Sequence, residues 1–142
     1  MKDLRRWFVC GFIFIMLFIL AGVSYGTGVS SSHKSSLGGT ITLEFDTSKL
    51  LVMQPVEAKI SIVDAQNKPV NAALIFSSLY IPMYATGTNK PTIKQTNQDG
   101  VYSGIMFFNH AGVWNVDLTI NYKDGAYEEL SLNVEVADQT EK

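Results

Sequence analysis

Cysteine is nearly missing from this chain: among 142 residues there is one, Cys10. It sits at the start of an apolar run, where a small apolar side chain needs no further role. The remainder therefore has no disulfide staple, no thiolate metal ligand and no thiol nucleophile. Histidine is almost as scarce, with only His33 and His110. A Ser-His-Asp arrangement would have to be built on one of these two. There is no H-E-x-x-H, no C-x-x-C and no phosphate-cradling glycine loop. Adjacent carboxylates occur at Glu128 and Glu129, but neighbouring strand positions point to opposite faces, so the pair cannot cooperate in acid–base chemistry. It reads as a solvated strand end. These absences argue against an enzyme.

Charge of one sign is also unevenly spread. Residues 1–36 sum to +3, from Lys2, Arg5, Arg6 and Lys34 against Asp3, which leaves −5 for the rest of a chain whose net charge is −2. An acidic outer part repels phosphates, which argues against nucleic acid and anionic lipid as its partners.

The start of the chain has a basic cluster followed by an uncharged run over residues 7–23. That pattern belongs to a secretory signal or a membrane anchor. Gly22, Ser24 and Gly26 offer small residues for cleavage. The run is nonetheless longer than a usual signal core and nears the about 17–25 residues that span a bilayer. Both readings place the following domain on the extracytoplasmic side, with the basic end inside. The expected organisation is a signal peptide or transmembrane helix over 1–26, a flexible Ser/Gly-rich tether over 27–38, a folded domain over 39–138 and a polar tail over 139–142.

Within the domain the hydrophobic period is two. Ile41, Leu43 and Phe45 alternate with polar neighbours, as do Ala58, Ile60 and Ile62. So do Trp114, Val116, Leu118, Ile120 and Tyr122, and Leu130, Leu132, Val134 and Val136. Each segment has one core face and one wet face, as antiparallel sheets do. Residues 72–80 are more continuously apolar and are expected to form a buried central strand. Residues 92–96 are short and polar and are expected at an edge. Turns follow from Asp64 to Pro69, Asp99-Gly100, Asn109 to Gly112 and Asp124-Gly125. With no helical period, this predicts an all-β, seven-stranded antiparallel immunoglobulin-like sandwich preceded by an N-terminal apolar helix. Tyr102, opening a strand after Asp99-Gly100, is expected as a tyrosine corner whose hydroxyl binds backbone upstream. Trp114 is expected as a core anchor.

The stretches 63–72 (V-D-A-Q-N-K-P-V-N-A), Pro82-Met83, 99–104 (D-G-V-Y-S-G) and 111–114 (A-G-V-W) occur in the order and spacing of the YtkA-like family. The sequence resembles that family over roughly residues 40–136, and more distantly the periplasmic part of FixH-type proteins. The resemblance implies an extracytoplasmic immunoglobulin-like module, often membrane-tethered, with some relatives tied to copper handling or oxidase assembly. Relatives carry several methionines and a histidine in the Pro-Met loop, donors that suit Cu(I). Here that loop keeps one methionine, so copper enters only as an implication of the resemblance, with Met83 and His110 as its metal pair.

The working surface expected from the residues is the loop 81–91, with Pro82, Met83, Tyr84 and Asn89 as partner-contacting positions, because loops on a rigid sandwich commonly carry function. The expected function is a membrane-tethered, non-catalytic binding or accessory module with an envelope or membrane protein as partner and no cofactor. The alternatives are a copper carrier or oxidase-assembly accessory protein and a purely structural envelope domain.

Overall fold

The computed structural model describes residues 28–82, 84 and 89–139. The apolar run and N-terminal helix expected over 1–26 lie outside these residues, as do Met83 and the end of the polar tail. Among the described residues no helix is long and apolar enough to cross a membrane.

Nine strands form two sheets: β1 (Ser30–Lys34), β2 (Thr40–Phe45), β3 (Leu50–Leu51), β4 (Pro55–Val63), β5 (Ala72–Tyr80), β6 (Lys94–Gln95), β7 (Val101–Phe107), β8 (Gly112–Tyr122) and β9 (Tyr127–Ala137). One sheet has the order β1-β2-β4-β7-β6 and the other β3-β9-β8-β5. The fold is all-β and of the sandwich type, as expected. Two strands beyond the expected seven are present, β1 and the two-residue β3, and β3 pairs with β9 in parallel rather than antiparallel. The remaining pairings are antiparallel.

The period-two residues meet in one core between the sheets. Ile41, Leu43, Ala58, Ile60 and Met106 face Leu79, Trp114, Val116, Leu118 and Ile120, all at or near zero exposure. Trp114 packs edge-on against Phe108 with ring centroids 5.3 Å apart, and Phe108 meets Phe45 in the same way at 6.1 Å. These aromatic contacts close one end of the core.

The turns form where the residues allow. Asp64 Oδ1 accepts the backbone N–H groups of Gln66 and Lys68, and Asn67 takes the positive φ of 60° that the turn requires. Gly100 has φ 69°, and a Cβ there would lie 2.7 Å from the Ile62 carbonyl oxygen. Gly104 stands on the inward face of β7 between Tyr102 and Met106. Its missing side chain lets the crossover between β5 and β6 pass, since a Cβ would come within 2.6 Å of the Thr92 carbonyl. Ile93, 8% exposed, fills the space instead.

Three expectations are corrected. First, the stretch expected as a free tether contains a strand: Ser30–Lys34 pairs with β2 over five residue pairs, and Val29 exchanges backbone hydrogen bonds with Phe45 and Thr47. Serine-rich sequence has little to bury, but an edge strand needs only backbone pairing on one side. Second, Glu128 is buried rather than solvated. Strand alternation turns it inward beside Tyr122, where it accepts hydrogen bonds from Ser35 Oγ (2.7 Å), the Ser36 backbone N–H (2.6 Å) and Tyr122 Oη (3.3 Å). Third, β5 is an edge strand, not a central one. Its apolar look arises because Leu74 and Phe76 project to solvent while Ile75 and Leu79 project to the core.

Candidate functional site

One end of the sandwich gathers the loop after β5, the turn between β7 and β8, and the approach to β4. β5 ends at Tyr80, Ile81 tucks into the core, and the Tyr84 backbone N–H donates to the Ile81 carbonyl, turning the chain back at Pro82. Across from it, Phe108 plugs the core and 109–112 make the turn. That turn is braced from inside, because Trp114 Nε1 donates to the His110 carbonyl at 3.0 Å. The His110 ring is thereby presented outward, where it stacks on Tyr84 with centroids 6.5 Å apart and planes 25° apart. The Asn109 amide oxygen lies 2.8 Å from His110 Nδ1, which sets the ring's orientation. The Met53 backbone N–H donates to the Phe108 carbonyl, bringing a 60%-exposed methionine to the same end.

Of the residues predicted as the working surface, Pro82 and Tyr84 are exposed here. Asn89 is half-buried and acts as a staple: Nδ2 donates to the Phe107 carbonyl at 2.8 Å, and its own carbonyl accepts the Leu79 backbone N–H. It ties the crossover to both sheets at once. His110 lies beside Tyr84, a pairing the sequence separation of 26 residues does not reveal. For the copper implication, Met106 is fully buried in the core, and among the described residues no group of three or more His, Cys, Asp or Glu could hold a metal ion. The soft and borderline donors described at this end are the His110 imidazole and the Met53 thioether, while Met83, the other member of the expected pair, lies outside the described residues.

Sequence reasoning missed the apolar rim around this end. Met53, Tyr84, Ile105 and Val113 are each more than half exposed, and Phe107 is partly so. They come from separate segments of the chain, and alternation alone marks Ile105, Phe107 and Val113 only as outward positions that happen to be apolar. It also missed the Glu128 network. Burial pushes the Glu128 carboxyl upward, but the hydrogen bonds from Ser35, Ser36 and Tyr122 outweigh this and hold it below its ordinary value. Burial, followed by the nearby Glu128 charge, raises the Tyr122 phenol to about 12. An inward carboxylate flanked by a tyrosine at alternation phase was the signal available.

A family model described as YtkA-like matches residues 38–119. None of the curated proteins matches the sequence. Among solved structures, the chain is similar to a DUF4785 family protein from Legionella pneumophila, with 12% identity and a TM-score of 0.49 over 74% of this chain and 29% of that one. It thus spans under a third of that protein's length. It is also similar to a superoxide reductase (neelaredoxin) from Ignicoccus hospitalis, with 12% identity and a TM-score of 0.41 over 67% of this chain and 79% of that one.

Proposed function

We propose that this protein, which belongs to the YtkA-like family, is a non-catalytic accessory module of immunoglobulin-like type. It is held at a membrane by its N-terminal segment and contacts an envelope or membrane protein through the end of the sandwich that carries Tyr84 and His110. The observation that carries this reading is the set of exposed apolar side chains toward that end: Met53 and Tyr84 in its loops, Ile105 and Phe107 on the outer face of β7, and Val113 on that of β8. Aromatic and methionine side chains of this kind are enriched at protein contact surfaces, where they bury much area and adapt to a partner. The frame beneath is rigid, since Trp114 braces the turn and Asn89 staples the crossover. A rigid frame lowers the entropic cost of presenting the rim.

Photocrosslinking in native membranes tests this. A photoreactive residue at Tyr84 or Phe107 of the full chain should give one dominant protein adduct, whereas one at Lys59 should not. The adduct should disappear when Met53 and Ile105 are both replaced by serine while the thermal melt is kept. Equal labelling from all three positions would remove the rim as the contact surface.

A further inference from the structure

The outer face of the four-stranded sheet is built differently from an ordinary solvated face. β8 turns Asn115, Asp117, Thr119 and Asn121 outward, and β9 adds Ser131 and Asn133 between Glu129 and Glu135, with no Lys or Arg on either strand. Around Asp117 the outward neighbours Asn115, Thr119, Ser78 and Ser131 are all short and polar, and such side chains lose little rotamer freedom when ordered. At the β5 edge of this face lies a cavity of about 430 Å³ between the strand and the crossover at 90–93. That volume is within the range of small-ligand sites. Phe76, 57% exposed, lines it with Ser78, Thr119, Lys90 and Asp117.

Asp117 carries the second observation. Its Oδ1 is shielded from solvent and has no hydrogen-bond partner, although Ser78 and Ser131 stand directly opposite it on the two neighbouring strands. A carboxylate oxygen left without a donor is an uncompensated cost of folding. The terminal torsion of aspartate is soft, so the group can turn toward a donor that arrives in the cavity.

We infer that this cavity binds a neutral saccharide. The apolar face of a sugar ring fits the exposed Phe76 ring, and a sugar hydroxyl supplies the donor that Asp117 lacks. The Ser78 and Thr119 hydroxyls and the Lys90 ammonium complete the set of short-range donors and acceptors. Lys90 and Asp117 leave the lining itself without net charge, which suits a neutral ligand, and the acidic domain disfavours an anionic one. A second exposed ring, Tyr127, stands on the same face two strands away and one step along, roughly 10–12 Å from Phe76 by sheet spacing. Two rings so placed suit a chain of sugars rather than a single one. The site is separate from the rim around Tyr84 and does not depend on it.

Titration calorimetry of the full chain in a zwitterionic detergent provides the test, with cellohexaose and chitohexaose as neutral probes and a trilysine peptide as the cationic competitor. At least one hexaose should bind, and F76A and D117N should each weaken binding about tenfold or more. Y84A should leave it unchanged. Phe76 is exposed, so F76A should keep the wild-type melt and remain readable even if D117N does not fold. Failure of both sugars to bind, binding that survives F76A, or binding of the peptide in their place would overturn the inference.

Discussion

Tyr102 offers its hydroxyl twice to one residue: it accepts from the Ala72 backbone N–H at 2.6 Å and donates to the Ala72 carbonyl at 3.2 Å. Tyr102 belongs to β7 and Ala72 to β5, so a single side chain ties one sheet to the other. Desolvation raises its phenol above the ordinary value, which keeps the donor proton in place. Y102F should remove both hydrogen bonds to the buried Ala72 backbone and cost about 1–3 kcal/mol in urea unfolding. Glu128 and Tyr122 give the residue-scale pH dependence. Glu128 is held below its ordinary value of 4.5, so its contribution is complete above that value and is lost as pH falls through the lower folded value. The Tyr122 contribution is complete below 10.0 and is lost as pH rises from there through about 12. Stability followed by circular dichroism across pH should therefore fall less steeply on the acid side in E128Q. The fall on the alkaline side should flatten in Y122F.

At the scale of elements, β1 and β8 stand at opposite extremes. β8 was legible because its inward residues Trp114, Val116, Leu118, Ile120 and Tyr122 are all apolar at period two. β1 was not, because S-S-S-H-K has no apolar face, and its order comes from pairing with β2 and from the Glu128 anchor on Ser35 and Ser36. That anchor makes a prediction specific to the element. Trypsin should cut slowly after Lys34 in the folded protein. E128A should accelerate the cut about tenfold, the equivalent of about 1.4 kcal/mol of lost local protection. The crossover is a second such element. Gly104 admits it and Asn89 staples it, so G104A should force the Thr92 backbone away and lower the melting temperature, with the largest loss of amide protection at Leu79, the donor to Asn89.

For the molecule as a whole, cohesion between sheets rests on one continuous apolar core without any covalent link. A fragment spanning residues 28–139 contains no cysteine and a single tryptophan, Trp114, which is 1% exposed. Its unfolding should be unaffected by reducing agent. Trp114 emission should shift to longer wavelength in the same transition that abolishes the β-sheet circular dichroism signal. Separate transitions by the two probes would mean that the sheets open independently.

The local rules acted on residues a few positions apart, and there the sequence alone was sufficient. Alternation assigned most of the strands, and Asp-Gly and Asn-Lys-Pro assigned turns. The tyrosine clamp was legible too, because its position after Asp99-Gly100 is itself local. What only the tertiary structure decided involves partners far apart in the chain. Glu128 meets Ser35 across 93 positions, Tyr84 meets His110, and the apolar rim is assembled from separate segments. A serine-rich stretch becomes a strand because another strand offers unpaired backbone groups, and an apolar strand becomes an edge because sheet order places it there. Period and composition record which way a side chain points, but burial depends on what stands opposite, and that is settled only when the two sheets close.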